Sequence, residues 1–200
     1  MRDTVIFDIG GVLIDWNPRH LYHKLFDDEA AMEHFLAEVC SPLWNAEQDA
    51  GRPFAAATAA AVAEHPEHRE MIEQYFARWP EMMAGTIDGT VDVLAELRAR
   101  RVPLYALSNW SAETYPMARE RFDFFDWFDG IVVSGEEGVM KPDPRIYAVL
   151  QTRYGVTPER AVFVDDSKPN VAMAEQLGLH PIHFTAPPAL RAELGRLGLL

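Results

Sequence analysis

Four short apolar runs in this chain each lead directly to polar residues. Residues 4–7 lead to Asp8, 103–107 to Ser108 and Asn109, 131–133 through a short loop to Lys141, and 161–164 to Asp165 and Asp166. Continuous apolar runs of this kind are typical of parallel strands buried on both faces. Parallel sheets bind their ligands beyond the carboxyl ends of the strands, so these polar groups are predicted to meet at one edge. Carboxylates, a hydroxyl and an ammonium together suit a magnesium-dependent enzyme acting on an anion.

The composition limits the class of protein. With 200 residues, 48% of them hydrophobic, the chain suits one α/β domain, or one domain carrying an insertion. A formal net charge of −13 argues against nucleic acid or an anionic membrane surface as partner. No apolar stretch reaches transmembrane length, no signal-peptide pattern is present, and Cys40 is the only cysteine. We therefore expect a cytoplasmic protein with a small-molecule partner, either monomeric or a weak homo-oligomer.

A long helical segment separates the first strand from the second. Apolar residues recur at helical spacing over 19–26, 29–39, 54–64 and 67–83. This segment is too long for a single crossover connection, so we interpret residues 16–84 as an inserted bundle of about four helices that caps the first strand. The remaining strands alternate with helical patterns at 91–101, 112–122, 144–154, 170–177 and 188–197. The predicted fold is α/β: a doubly wound, Rossmann-like parallel sheet in residues 1–15 and 85–200, with the helical cap in 16–84.

The polar signatures also occur in a recognisable order. They are Phe7-Asp8-Ile9-Gly10-Gly11-Val12-Leu13, Leu107-Ser108-Asn109, Met140-Lys141-Pro142 and Phe163-Val164-Asp165-Asp166, followed by Asn170. Across essentially its full length, the chain resembles the haloacid dehalogenase (HAD) superfamily of hydrolases, in the subfamily with a helical C1-type cap inserted after the first motif. It looks most similar to the phosphatase branch that includes bacterial glucose-1-phosphate phosphatases. Four motifs in the right order are far more specific than one.

The resemblance implies a nucleophile and a metal site. Asp8 would attack phosphorus and form an aspartyl-phosphate, which divides one hard hydrolysis into two easier steps. Mg²⁺ would be held by Asp8, the backbone carbonyl of Gly10, Asp165 and Asp166, with Asp166 binding directly and Asp165 either directly or through water. The residue types support this, since adjacent carboxylates beside a third repel one another strongly without a cation.

The same resemblance assigns supporting roles to four further residues. Lys141 would neutralise Asp8 and the transferring phosphoryl group. Ser108 would offer its hydroxyl to a phosphoryl oxygen, and Asn109 would orient the nucleophile loop or the substrate. Asn170 would brace the loop of the acidic pair by hydrogen bonding. Taken singly, a strand-terminal Ser-Asn is usually turn chemistry and a lysine before Pro-Asp-Pro is usually a solvated loop residue.

Gly10 departs from the pattern that the resemblance implies. Phosphatases of this superfamily usually carry a second aspartate there, which serves as general acid and base. Such assistance typically contributes about 10²–10⁴-fold to the rate. Substrates with good leaving groups, water within the metal shell, or a carboxylate elsewhere would compensate, and Asp15, Glu47 and Asp49 are the candidate carboxylates. The glucose-1-phosphatase branch shares the departure.

Residues 44–52 are the predicted substrate-selecting loop of the cap. Trp44, Asn45, Glu47 and Asp49 combine an aromatic surface with amide and carboxylate groups that bind sugar hydroxyls, and Trp110 is expected opposite them. A turn between two cap helices with a packed tryptophan explains the segment equally well.

Several functions remain open from the sequence. The first is a Mg²⁺-dependent phosphomonoesterase acting on a small phosphorylated metabolite, such as a sugar phosphate. The second is a 2-haloacid dehalogenase in which Asp8 displaces halide from carbon; Gly10 permits it, but the Asp165-Asp166 pair and the absence of an aromatic neighbour at Gly11-Val12 argue against it. A catalytically weak binding or regulatory homologue is the third. A receiver domain is rejected because its acidic pair would come early in the chain.

Overall fold

The computed structural model describes residues 2–200. Its strands are β1 (Thr4–Phe7), β2 (Ile14–Trp16), β3 (Met83–Thr86), β4 (Leu104–Ser108), β5 (Gly130–Val133), β6 (Ala161–Asp165) and β7 (His180–His183). Its helices are α1 (Arg19–Tyr22), α2 (Glu29–Glu38), α3 (Pro42–Asp49), α4 (Phe54–Glu64), α5 (Arg69–Ala77), α6 (Asp88–Ala99), α7 (Tyr115–Arg119), α8 (Ser134–Glu137), α9 (Pro144–Tyr154), α10 (Lys168–Gln176) and α11 (Pro187–Arg196).

The core is a five-stranded parallel sheet in the order β5-β4-β1-β6-β7. The chain builds outward from β1 to one side, then crosses over and builds outward to the other, which is the predicted doubly wound α/β fold. Phe7 pairs with Ala106 on one neighbouring strand and with Val164 on the other. Because these registers align the carboxyl ends, the residues that follow each strand emerge at the same edge.

Both faces of the sheet are covered, which explains why its strands are continuously apolar. In β1, Val5 and Phe7 belong to the larger apolar cluster, whereas Ile6 belongs to the cluster on the opposite face. All three side chains are fully buried. Strand residues alternate between faces, so a strand between two helical layers needs apolar side chains at every position.

Helices α1–α5 form the cap, which lies between β2 and β3 in the chain. These two strands pair antiparallel, with Ile14 opposite Thr86, where the chain leaves the core and returns to it. This ribbon was not predicted from the sequence, because each of its strands is only three or four residues long. The domain boundaries at residues 15/16 and 84/85 stay a prediction.

The cap contains a helix where a loop was expected. Residues 42–49 form α3, and the Ser41 side chain accepts a hydrogen bond from the Trp44 backbone N–H at its start, with Pro42 in the first turn. Serine followed by proline is a helix-start signal, which we interpreted as a break between helices. The expectation of a loop over 44–52 is therefore wrong for its first six residues.

Some predicted helices are shorter than their periodicity suggested. The segment 67–83 divides into α5 and two 3₁₀ turns, Pro66–His68 and Trp79–Met82, with proline as the first residue of one turn and the second residue of the other. Proline lacks the N–H that would continue an α-helix through these positions. Nowhere in residues 2–200 is there a helix both long enough and apolar enough to span a bilayer.

Candidate active site

Three carboxylates meet at the carboxyl edge of the sheet. Asp8 follows β1, Asp165 ends β6 and Asp166 comes next, and each offers an oxygen lying within 4.8 Å of the others. Asp165 is fully buried and Asp8 is almost so, whereas Asp166 is exposed. The structure thus brings together the acidic residues of two motifs that lie far apart in the chain.

Lys141 is the buried counter-charge of this cluster. Its ammonium lies 3.0 Å from Asp8 Oδ1, 2.7 Å from Asp165 Oδ2 and 2.7 Å from the Leu107 carbonyl oxygen. Burial by itself lowers the pKa of this lysine, but the Asp8 and Asp165 carboxylates outweigh burial and raise it. The ammonium donates hydrogen bonds to Asp165 Oδ2 and to the Leu107 carbonyl, and it forms an ion pair with Asp8, so Lys141 brings a buried positive charge to the site.

Asp8 is held through one of its two oxygens. Oδ1 accepts the Ile9 backbone N–H at 2.7 Å and faces the Lys141 ammonium. Burial raises the pKa of Asp8 to about 7, Lys141 opposes this shift, and the Asp165 charge adds to it. Because both close contacts engage Oδ1, Oδ2 is the oxygen that they leave available for attack.

The two adjacent aspartates have different surroundings. Asp165 accepts hydrogen bonds at Oδ1 from the Ser167 N–H, at Oδ2 from Lys141, and at both oxygens from the Asn170 amide. The Tyr147 hydroxyl in turn donates to the Asn170 carbonyl. Asp165 is therefore committed to organising the loop. The Asp166 carboxyl is exposed on one side and partly desolvated on the other, and this partial desolvation, followed by the Asp165 charge, raises its pKa.

The charge of this cluster fits a divalent cation. Three carboxylates face one ammonium, which leaves two negative charges in a partly dehydrated site. Oxygen-only ligands with an exposed carboxylate suit a hard cation such as Mg²⁺, which keeps several waters. The residues present therefore fit a metal ion.

Gly11 allows the acidic pair to approach the nucleophile loop. Its φ is +73°, and a Cβ at this position would overlap the Asp166 carboxylate. Only glycine takes this backbone conformation without strain while leaving room for the carboxylate. Gly10 differs, because a Cβ there would meet no atom within 4 Å.

Asn109 is occupied by the loop that carries Lys141. Its amide nitrogen donates to the Lys141 carbonyl at 3.0 Å, and its amide oxygen accepts the Lys141 backbone N–H at 2.8 Å. The predicted alternatives were the nucleophile loop and the substrate; the side chain instead fixes the lysine. Ser108 ends β4 and is 1% exposed.

A narrow cavity of about 50 Å³ lies between the core and the cap; we call it the interface cavity. It is lined by Gly10, Trp16, Asn45, Asp49, Phe54, Trp79, Asn109, Trp110 and Thr114. Aromatic side chains dominate the lining, and no lysine, arginine or histidine is among these residues. Gly10 connects the cavity to the nucleophile loop.

The interface cavity includes some predicted substrate residues and leaves out others. Asn45, Asp49 and Trp110 line it. Trp44 instead packs edge-on against Tyr75 at 4.9 Å, and Glu47 extends toward solvent, paired with Arg52.

Asp49 is held by a chain of hydrogen bonds within the cap. Tyr75 donates its hydroxyl proton to Asn45 Oδ1, and the Asn45 amide donates to Asp49 Oδ2, both at 3.0 Å. The Asp49 backbone carbonyl accepts the Ser134 hydroxyl of the core. Burial raises the pKa of the Asp49 carboxyl to about 7, although a hydrogen bond from the Ser111 backbone opposes the shift.

Sequence reasoning missed four residues of the interface cavity. Phe54 and Trp79 belong to apolar patterns that are also typical of ordinary core helices, so their spacing did not indicate that they line a cavity. Trp16 follows the first motif closely in the chain but is not part of it. Thr114 belongs to none of the motifs, although its hydroxyl accepts a hydrogen bond from the Trp110 indole N–H. The indole N–H of Trp16 is buried and has no hydrogen-bond partner within residues 2–200.

The chain matches a known family. A family model described as haloacid dehalogenase-like hydrolase covers residues 2–178. The protein belongs to this family. It is a HAD-like hydrolase, as the four motifs predicted.

Similar proteins extend over nearly the whole chain of this HAD-like hydrolase. A sesquiterpene phosphatase from Aspergillus oryzae is 26% identical, covering 97% of this chain and 95% of its own. A phosphorylated carbohydrates phosphatase from Thermotoga maritima is 25% identical, covering 90% and 84%. A HAD family enzyme from Bacteroides thetaiotaomicron, solved with magnesium and inorganic phosphate, has the same fold, with a TM-score of 0.69, 23% identity, and 93% and 96% of the chains covered.

Proposed function

We propose that this protein is a Mg²⁺-dependent phosphomonoesterase that acts on a small phosphorylated metabolite through an aspartyl-phosphate on Asp8. The observation that most strongly supports this proposal is the cluster in which Asp8, Asp165 and Asp166 face the single ammonium of Lys141. Phosphatases among its relatives, with names referring to a sesquiterpene and to phosphorylated carbohydrates, support the same activity.

In this mechanism the chain's own residues prepare an attacking oxygen. Lys141 and the Ile9 N–H hold Asp8 Oδ1, so Oδ2 is aimed at phosphorus. The Ser108 hydroxyl donates to a phosphoryl oxygen, and Asn109 keeps Lys141 in place. Asp8, Asp166 and the Gly10 carbonyl would hold Mg²⁺, with Asp165 binding directly or through water, and the ion would supply positive charge that offsets the phosphoryl group.

The interface cavity favours an uncharged leaving group. Its lining offers aromatic surfaces, the unpartnered Trp16 indole N–H and the Asp49 carboxyl, but no cation. A leaving group with its own carboxylate, such as the serine of phosphoserine, would lose its hydration without gaining an ion pair. A sugar or another neutral, hydroxyl-bearing or apolar group fits this lining better.

The same lining argues against the dehalogenase alternative. A 2-haloacid brings a carboxylate, which would face the Asp8, Asp165 and Asp166 charges and find no arginine, lysine or histidine in the cavity wall. We therefore retain phosphate ester hydrolysis.

The direct test compares p-nitrophenyl phosphate hydrolysis with halide release from 2-chloropropionate, each with Mg²⁺ and with a chelator. We expect hydrolysis of the phosphate ester only, and only with Mg²⁺. Asp8→Asn should abolish it while circular dichroism stays unchanged, and Asp166→Asn should weaken the magnesium dependence. Asp27→Asn, an exposed aspartate of the cap, is the matched control and should behave like the wild type. Halide release without metal, or an active Asp8→Asn variant, would contradict the proposal.

A further inference from the structure

Cleavage of an alkyl phosphate requires a proton for the departing oxygen. An alkoxide is a poor leaving group, and a positioned acid typically accelerates its departure by about 10²–10⁴-fold. Gly10, on the nucleophile side of the interface cavity, has no side chain to supply this proton. Among the residues that line the cavity, Asp49 is the only one with a carboxyl group.

We propose that Asp49, on the cap side of the interface cavity, is the general acid and base of this hydrolase. This inference rests on the proposed phosphatase function and adds a catalytic residue to it. Asp49, at the end of α3 in the cap, and Gly10, next to the nucleophile, line the same cavity, in which the leaving group of a phosphate ester attached to Asp8 would lie.

The structure separates Asp49 from the two other candidates. The Asp15 side chain is 53% exposed and paired with His20, and the Glu47 side chain is 60% exposed and paired with Arg52. Neither lines the interface cavity. Only Asp49 combines a carboxyl group with a place in the cavity wall.

The surroundings of Asp49 suit a positioned proton donor. Asn45 donates to Oδ2, and Tyr75 in turn holds Asn45, so the carboxyl orientation is determined by two side chains of the cap. The Ser134 hydroxyl binds the Asp49 backbone carbonyl and thereby ties this end of α3 to the core. A carboxyl with a pKa of about 7 keeps a substantial protonated fraction at neutral pH, as a general acid must.

The proton is returned within one turnover. In the first step Asp8 Oδ2 forms a bond to phosphorus, the bond between phosphorus and the ester oxygen breaks, and that oxygen takes the proton of Asp49. In the second step the Asp49 carboxylate takes a proton from a water molecule, whose oxygen attacks phosphorus. The bond between phosphorus and Asp8 then breaks, which releases phosphate and restores both aspartates.

The test compares two aromatic esters that differ in their need for a proton. Nitrophenolate leaves without protonation, whereas the benzyl alkoxide does not. Because kcat/KM reports only the first step, in which the leaving group departs, we expect kcat/KM of Asp49→Asn to fall by about 10²–10⁴-fold on benzyl phosphate and to change by less than about tenfold on p-nitrophenyl phosphate. Asp27→Asn should lose neither activity.

A loss confined to benzyl phosphate distinguishes a catalytic role of Asp49 from a purely structural one. Equal losses of kcat/KM on both esters would assign Asp49 a structural or binding role and overturn the inference, and so would a fully retained kcat/KM on benzyl phosphate. If the asparagine variant does not fold by circular dichroism, Asp49→Ala answers the same question with the same two esters. Failure of the proposed function would show earlier, as a wild-type protein that cleaves neither ester with Mg²⁺.

Discussion

Replacing Asp49 by asparagine should stabilise the fold at alkaline pH relative to the wild type. Burial raises the pKa of this carboxyl from its ordinary value of 3.8 to about 7. The folded protein therefore binds more protons than the unfolded chain between about pH 4 and about pH 7. The contribution of Asp49 to wild-type stability therefore falls as the pH rises through this window, because the charged carboxylate is poorly solvated in the fold. An uncharged asparagine has no such dependence.

The magnitude follows from the size of the pKa shift. A shift of about three units corresponds to about 4 kcal/mol at full ionisation, at about 1.4 kcal/mol per unit. Asp49 is only partly buried at the cavity wall, so solvent screening reduces this to about 2 kcal/mol. Asparagine keeps one acceptor for the Asn45 amide but loses the second carboxylate oxygen, which costs about 1 kcal/mol independently of pH.

Urea denaturation at about pH 5 and about pH 8, with the same Mg²⁺ concentration, measures the effect. The difference in unfolding free energy between Asp49→Asn and the wild type should move in favour of the variant by about 1–3 kcal/mol as the pH rises. Asp27→Asn should run parallel to the wild type. A constant difference, or one that moves in favour of the wild type, would refute the reasoning. Together with a selective loss of benzyl phosphate hydrolysis, this result would show that Asp49 is needed for catalysis although it lowers the stability of the fold at alkaline pH.

Three further outcomes are expected. Lys141→Met leaves Asp8 and Asp165 buried without a counter-charge and should lower the free energy of unfolding by about 3–5 kcal/mol in urea; a loss under about 1 kcal/mol would contradict the assigned ion pairs. Gly11→Ala places a Cβ against the Asp166 carboxylate at a φ of +73°, so calorimetric titration should show weaker Mg²⁺ binding, and an unchanged dissociation constant would count against this geometry. Mg²⁺ at about 100 times its dissociation constant should stabilise the fold by about 2.7 kcal/mol, and Asp166→Asn should remove most of this gain in thermal melts.

The membership of the acidic cluster was predictable from the sequence because it depends on local signals. Asp8 follows one continuously apolar run and Asp165 ends another; such runs are typical of parallel strands, and the carboxyl ends of parallel strands share an edge. The ordered motifs added Lys141 from a loop. In contrast, the start of α3 was misjudged, since Ser41-Pro42 serves equally as a helix start or as a break, and only the hydrogen bond to the Trp44 N–H decides between them.

The sequence by itself thus determined the sheet, the helical insertion and which charged residues converge, because strand burial and motif order are properties of neighbouring residues. The tertiary structure alone decided that Asp165 is enclosed while Asp166 is exposed, and that Asp49 rather than Asp15 or Glu47 lines the interface cavity. Burial and the resulting pKa depend on what distant segments place against a side chain. Helical spacing shows which residues share a face, but not what that face meets.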